Sequence, residues 1–468
     1  MDRNTKALKS GFWYFLSNSL IRSISLITTP IFARLMTHEE YGAYSNYSSW
    51  TNIAITFITM RSEASFISAK FDFRDDLEKY NRSLIYLTAC IATVWILVVN
   101  LFPETFSSLF NTKRNYINLM IIYCFFHAVI NIFQINERYK YLYKTSVFIA
   151  VLSSLSTTIV SIIFVVSMKN KLEGRILGHI LPAVIIACIL LKSFFKNGKG
   201  IDLKMWPYAL MICIPYIPHL LSLQVLNSID RIMITKICGP AENALYTIAY
   251  SCGHMVTLLM TSMNTAFAPW LGDKLHENAA KEIKRVSRYY IIIFSTLAIG
   301  MMLLAPEILL IMGGKSYVKA KYVMPPVSMG CICQFLYTLY VNVEQYKKKT
   351  IKMAIASISA ALLNYVLNAY FIPRYGYIAA AYTTLAGYIF LLILHMIIVY
   401  SIGESKVFDN KFIILSTFVM FLITLGINYL YFHQVLRYVF IVLLIITICM
   451  IMYIKKTMTL KLLKETFL

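Results

Sequence analysis

Residues 376–400 read GYIAAAYTTLAGYIFLLILHMIIVY, twenty-five positions without one Asp, Glu, Lys or Arg. A helix rises about 1.5 Å per residue, so the stretch reaches across a hydrocarbon layer about 30 Å thick. Working outward from it, comparable apolar stretches fall at 11–32, 44–69, 83–101, 116–136, 145–168, 176–195, 207–229, 243–268, 289–311, 323–346, 351–372, 412–431 and 438–454. Inside lipid every backbone donor and acceptor must find a partner within the protein, and a helix supplies one. The predicted fold is an all-α integral membrane protein of about fourteen transmembrane helices.

The connectors alternate in charge. Lys and Arg total 29 in the two ends and every second connector, against 13 in the other set. The positive-inside rule places the richer set, with both termini, in the cytoplasm. Hydrophobic residues make up 59% of the chain and charged ones 14%, too few for a soluble protein of this length. The net charge of +22 does not point to nucleic acid, because the basic residues sit at span ends, where they meet anionic lipid head groups. The expected surroundings are membrane lipids. Arg3, Lys6 and Lys9 run straight into an apolar segment with no small-residue cleavage site, so no cleavable signal peptide is expected.

Chemistry-bearing motifs are scarce. Cys331-Ile-Cys333, the one close pair among nine cysteines, suits neither a zinc knuckle nor a redox CxxC. No two histidines stand at i, i+4 with an acidic partner, and there is no Walker loop, G-x-S-x-G elbow or Rossmann fingerprint. No metal, cofactor or ATP-driven step is expected. The longest connector, 269–288, leaves no room for a soluble domain. That weighs against an enzyme such as a membrane-embedded polymerase or acyltransferase.

The chain repeats. Arg34–Ser45 lines up without gaps on Lys236–Thr247 at an offset of 202, with Glu40 on Glu242, Tyr44 on Tyr246 and Ser45 on Thr247. Each stretch links the first and second spans of a six-span half. Six crossings return the chain to its starting side, so the halves are parallel, a design that places substrate between them. The expected organisation is an N-terminal lobe at 1–205, a C-terminal lobe at 206–400, and two extra helices with a cytoplasmic tail at 401–468.

Polar stripes mark the first spans of each half. Asn18, Arg22, Ser25 and Thr29 share one helical face, as do Asn52, Thr56, Thr59 and Glu63, and again His254, Thr257, Thr261 and Asn264. Such stripes face protein or water, either lining a cavity or bonding helices together. Arg22 lies roughly 16 Å inside its span, and Arg61 and Glu63 lie ~13 and ~10 Å inside theirs. Arg22 and Glu63 can meet across the helix pair as a structural ion pair. Alternatively the Arg forks form an anion site, since a guanidinium binds phosphate bidentately. The candidate substrate contacts are Arg22, Arg61, Asn18, Asn52, Thr59, His254, Thr261 and Asn264. Glu63 is the candidate coupling group, and Pro215 and Pro218 are candidate hinges because they remove backbone donors. Asp230-Arg231 is read as an interfacial ion pair.

Three stretches carry a family likeness: Phe32–Ser45; Asp230-Arg231 with Tyr246–Tyr250 and Ala268-Pro269; and Leu363–Asn368 through Ile372–Gly376 and Ala379–Ala381. In that order they resemble bacterial polysaccharide-repeat flippases of the multidrug/oligosaccharidyl-lipid/polysaccharide exporter superfamily. The resemblance implies two six-helix lobes around a central cavity. It implies a substrate that is an undecaprenyl-pyrophosphate-linked oligosaccharide, bound for O-antigen, capsule or other surface polysaccharide. It also implies partners in the polysaccharide polymerase and chain-length machinery, and ion-coupled alternating access. A cation-coupled multidrug antiporter of the same fold is the rival, and the excess of Arg in the spans argues against it.

The topology is directly testable. A single cysteine at Lys284 should resist membrane-impermeant thiol reagents in intact cells; labelling from outside would invert the orientation.

Overall fold

The computed structural model describes residues 17, 20, 21, 23, 24, 26–73, 76–140, 142–196 and 200–454. They are helical throughout, with no strand among the described residues. In chain order the helices are α1 (Leu26–Leu35), α2 (His38–Thr59), α3 (Phe66–Asp72), α4 (Leu77–Leu101), α5 (Pro103–Phe110), α6 (Arg114–Tyr139), α7 (Tyr143–Ser167), α8 (Lys171–Lys196), α9 (Met205–Cys213) and α10 (Ile217–Ile237). There follow α11 (Pro240–Gly253), α12 (Val256–His276), α13 (Ala280–Leu303), α14 (Ala305–Met312), α15 (Met324–Tyr346), α16 (Thr350–Tyr375), α17 (Tyr377–Ser401), α18 (Asn410–Leu430) and α19 (Gln434–Ile454).

Eight helices, α4, α6, α7, α8, α13, α16, α17 and α18, are long and apolar enough to cross a membrane. Several other apolar stretches are broken. The stretch 44–69 divides where Met60 and Arg61 take the left-handed conformation, at φ 47° and 49°. The stretch 207–229 divides at a 3-10 turn, Ile214–Tyr216, that contains Pro215; Pro218 then opens α10. The stretch 243–268 divides between Gly253 and Val256. Irregular backbone at membrane depth persists only where protein or a cavity takes up its polar groups.

The helices gather into two bundles. In the first, α4, α6, α7 and α8 pack on one another and on α2. Gly174 and Gly178 let α8 approach α7 closely: a Cβ at Gly178 would stand 2.4 Å from the Cα of Ser161. In the second, α15 and α17 form the centre, flanked by α10, α12, α13 and α16, with α18 and α19 on the outside. Arg437 of α19 holds Glu307 of α14 bidentately, at 2.5 and 3.1 Å. The chain changes bundles at Pro215. Met205 and Ala209 of α9 are buried in the first core with Phe66 and Tyr80, whereas Leu226 and Ile234 of α10 are buried in the second.

The bundles meet where α2 and α11 begin. Thr37 caps α2 in a reciprocal box with Glu40. One turn on, a Cβ at Gly42 would stand 1.6 Å from the carbonyl oxygen of Pro240, so only glycine permits this approach. Asn243 donates to the Gly42 carbonyl at 2.9 Å, and the hydroxyls of Ser45 and Thr247 lie 2.6 Å apart. Ser45 and Thr247 are the residues that the 202-residue offset superposes. Equivalent residues of two repeats touch each other only at the axis relating them, so the pseudo-twofold axis passes between these hydroxyls. His38 to Ser316, at 3.0 Å, and Arg34 to the Ile311 carbonyl, at 2.5 Å, extend the seal.

In a cysteine-free background, Ser45→Cys with Thr247→Cys should cross-link readily under mild oxidation. Adding Gly42→Val should abolish the cross-link by separating α2 from α11; undiminished cross-linking would refute the close-packed seal.

Candidate functional site

The wall residues come from α10 and α12, which each follow a break, and from α1, α11 and the continuous helix α15. From Tyr250, three residues beyond Thr247 along α11, a cavity of about 610 Å³ opens, walled mainly by helices of the second bundle with α1 beside them. Leu26 and Thr29 of α1, Asn227 and Arg231 of α10, Tyr250 of α11, His254, Thr257, Thr261 and Asn264 from the α11–α12 break onward, and Gln334 and Thr338 of α15 line it. No Asp or Glu stands among these lining residues.

The stripe predicted around His254 is thus on the cavity wall. His254 stacks on Tyr250, with ring centroids 5.3 Å apart and planes 16° apart. Its Nδ1 lies 3.0 Å from the Thr257 hydroxyl. Asn342 donates to Asn264 at 2.9 Å, holding that amide in place. Tyr250, His254, Thr257, Thr261 and Asn264 follow i, i+4, i+7, i+11 and i+14, so they hold one face on both sides of the break after Gly253.

The first-half candidates lie elsewhere. Thr59 is buried at the end of α2, where its hydroxyl accepts from the Arg61 backbone N–H at 3.1 Å. Asn52 is exposed on α2, and Arg61 sits half-buried at the break, near His127 of α6. None of the three lines this cavity. Glu63 falls in the 3-10 turn Ser62–Ser65, and its side chain lies outside the described residues. Asn18 and Arg22 also lie outside them, and with them the expected Arg22–Glu63 pair.

Asp230 and Arg231 correct the sequence reading. They are not an interfacial pair. Adjacent helix positions are about 100° apart, and here each finds its own surroundings. Asp230 is 2% exposed. Its Oδ2 accepts from Tyr246 at 2.6 Å and from Thr384 at 2.5 Å, and its Oδ1 accepts from Asn368 at 2.6 Å. Asn364, Asn368, Thr383 and Thr384 bond among themselves behind it. One carboxylate therefore ties α10 to α11, α16 and α17. Arg231 turns the other way, with its guanidinium 4.8 Å from the centre of the Tyr250 ring and one amino group donating to the Asn227 carbonyl at 3.2 Å. Its Nε is buried without a hydrogen-bond partner among the described residues. A fork so placed, on a wall of hydroxyls and amides, can accept an oxyanion. The spacing of Asn227 and Arg231, and of Tyr250 and His254, at i, i+4 was the available signal; the charge-pair reading of Asp230-Arg231 concealed it.

Fold and cavity define a multi-pass membrane transporter of the multidrug/oligosaccharidyl-lipid/polysaccharide exporter superfamily, of the flippase type. The chain belongs to the family described as "Polysaccharide biosynthesis protein", whose family model matches residues 7–274; a second model, "MatE", matches residues 215–370. An uncharacterized membrane protein of Methanocaldococcus jannaschii is 22% identical over 452 residues, covering 88% of each chain. One of Haemophilus influenzae is 19% identical, covering 76% of this chain and 88% of its own. Among solved structures, the lipid II flippase MurJ in an inward closed conformation superposes with a TM-score of 0.69 at 15% identity, covering 94% of this chain and 98% of its own. An inward-facing multidrug resistance MATE family transporter superposes at 0.63 and 14% identity, covering 83% and 95%. At such identities the structural likeness speaks for the fold.

The Asp230 cluster gives a stability prediction. Asp230→Ala leaves three buried donors without an acceptor and should destabilise the second bundle by about 3–5 kcal/mol, as breaking a buried charged network does. Asp230→Asn retains an acceptor oxygen and should cost clearly less. Thermal unfolding of the detergent-solubilised variants checks the order; equal midpoints would contradict it.

Proposed function

We propose that this protein flips undecaprenyl-pyrophosphate-linked oligosaccharide units from the cytoplasmic to the outer leaflet of a bacterial inner membrane, for surface polysaccharide assembly. The observation that carries the reading is the cavity wall. It offers hydroxyls, amides and the Arg231 guanidinium, and no carboxylate among its described lining residues. An oligosaccharide needs hydrogen-bonding partners to replace its water, and a pyrophosphate needs a cation. Lipid tails need neither and remain in the membrane. The membership in a polysaccharide biosynthesis family and the fold shared with a lipid II flippase support the same substrate class.

The cycle is alternating access. The α2–α11 seal closes one end of the bundle in this state, and the positive-inside count assigns that end to the outer face and both termini to the cytoplasm. The repeat divides the lobes at 1–205 and 206–400, with α9 packed on the first lobe and 401–468 as the added helices. The breaks at Pro215–Pro218 and at Met60–Arg61 are the hinges. Arg61 supplies a further cationic contact from the first half when the lobes rearrange, and Arg22, Asn18, Asn52 and Thr59 remain substrate contacts proposed from the sequence alone. His254, Thr261 and Asn264 contact sugar. Glu63 is a coupling carboxylate on the first half. No chemical conversion of the substrate is involved. Polymerase and chain-length proteins receive the product.

A cation-coupled drug antiporter is the second reading, favoured by the "MatE" match over residues 215–370. A cation exporter needs negative charge where its cargo sits, and the described lining residues provide none.

The test is flipping of a fluorescent lipid-linked oligosaccharide in proteoliposomes. Charge-assisted hydrogen bonds contribute about 1.5–3 kcal/mol each, so Arg231→Ala should weaken binding roughly ten- to a hundredfold. Arg231→Lys keeps the charge but not the fork and should fall between. Full flipping by Arg231→Ala, or efflux of a cationic dye instead, would reject the proposal.

A further inference from the structure

The connectors on the seal side are the ones poor in Lys and Arg. Two of them nevertheless bring basic residues to one spot on the rim of the second bundle. The 3-10 helix Lys315–Val323 leads from α14 into α15, and a short turn leads from α18 into α19. Lys321 of the first and Arg437 of the second come close enough for each charge to be felt by the other.

The two cations differ in how they are engaged. Arg437 is 3% exposed, holds Glu307 of α14 and donates to the Leu303 carbonyl at 3.3 Å. Tyr438 donates to the same carboxylate at 2.7 Å. Lys321 is half-buried and has no carboxylate partner among the described residues. Its Nζ lies 5.2 Å from the centre of the Tyr322 ring and 5.4 Å from that of Tyr431, and it donates to the Tyr431 carbonyl at 3.4 Å. An ammonium carries three N–H donors, so donors remain for a ligand. Burial, and then the Arg437 charge, hold the Lys321 ammonium below its ordinary range. Two cations against one carboxylate leave the cluster net positive.

The rings beside Lys321 are fixed. Tyr431 donates to the Met302 carbonyl at 2.6 Å, and Tyr322 meets Tyr431 edge-on at 5.6 Å and Phe432 at 6.2 Å. Phe432 is 72% exposed, and Val435 and Leu436 continue the exposed apolar surface onto α19. Tyrosines with a wet end and an apolar body mark the membrane border. The ammonium therefore stands where lipid head groups give way to acyl chains.

The first half shows what the fold alone requires. Its short helix α5 opens with Pro103-Glu104, as α14 carries Pro306-Glu307 in its first turn. Glu104 is exposed and has no basic partner among the described residues, and the offset of 202 puts Leu119 where the second half has Lys321. A short helix of this kind thus stands without a basic cluster. The added charge occurs at the end where α18 and α19 pack.

We propose that Lys321, between Tyr322 and Tyr431 and with Arg437 behind it, binds the phosphate of an anionic phospholipid in the leaflet on the seal side. The phosphate oxygens accept from the ammonium, and the acyl chains lie along the exposed apolar residues of α18 and α19. A free phosphate has the same oxygens but nothing to cover that apolar surface. A zwitterionic head group brings its own cation to a cluster whose one carboxylate is already taken. The site does not depend on the transport reading above.

The test uses the full-length chain, free of cysteine, in lipid vesicles. A bimane fluorophore is attached to Phe432→Cys, or to Phe102→Cys beside α5 as the control, and nitroxide-labelled lipid quenches it. At position 432, labelled phosphatidylglycerol should quench at a roughly tenfold lower mole fraction than labelled phosphatidylcholine, the effect of one charge-assisted hydrogen bond. At position 102 the two lipids should quench alike. Lys321→Gln should equalise them at position 432, and Lys321→Arg, which keeps the charge, should retain the preference. Equal quenching at position 432, the same preference at position 102, or a preference that survives Lys321→Gln would overturn the site. Inorganic phosphate should reduce the preference no more than chloride at the same ionic strength. If phosphate alone abolishes it, the site takes a free anion and the lipid assignment falls. The comparison of positions 432 and 102 needs no change at Lys321, so it decides the site even if Lys321→Gln does not reach the membrane.

Discussion

A carboxyl group buried within a membrane bundle must be surrounded by hydrogen-bond partners, and the second half of this protein is organised around that requirement at Asp230. Three donors from three helices converge on it. Those hydrogen bonds set the rotation of α10 about its axis. Once Asp230 points into the bundle, Arg231 must point roughly 100° away, which places it at the cavity over Tyr250. The structural charge and the candidate ligand-binding charge are neighbours in sequence because one helix serves both the packed bundle and the cavity.

A second constraint shapes the seal. Two helices can close one end of the cavity only where their backbones approach within a glycine's width. Gly42 allows this, and the Ser45–Thr247 contact lies on the axis that relates the repeats. An axial contact made of two small hydroxyls is weak, because each can instead bond to its own helix backbone, as Ser49 and Thr51 do one turn on. A seal of this kind holds through packing and can part without leaving a buried charge behind. The bundles, by contrast, are held by hydrogen bonds to buried charges such as Asp230 and by close helix contacts such as that of Gly178 on Ser161.

Span 7 shows how the connection between the units is built. Its first part, α9, is buried in the first bundle, and its second, α10, in the second, with the Pro215 turn between them. A boundary drawn at residue 206 from the repeat therefore falls within a helix that packs against the first bundle. The repeat describes ancestry of sequence, whereas packing follows whichever apolar surface the chain reaches after its bend.

Much was legible from sequence. The apolar stretches, the charge alternation and the 202-residue repeat specify an all-helical membrane protein of two related halves, because bilayer thickness and the cost of unsatisfied backbone in lipid admit few alternatives. The stripe of His254, Thr257, Thr261 and Asn264 was legible too, since periodicity alone places them on one face. What sequence could not decide was which neighbour each polar group meets. Asp230 and Arg231 look like partners in one dimension, yet their partners come from positions 154, 138 and 16 residues away or from the cavity. Glu344 and His395, 51 residues apart, carry no local signal of each other. In a membrane bundle a polar side chain is committed by its hydrogen-bond partner across helices, and that partner is chosen by helix rotation and packing, which only the tertiary structure decides.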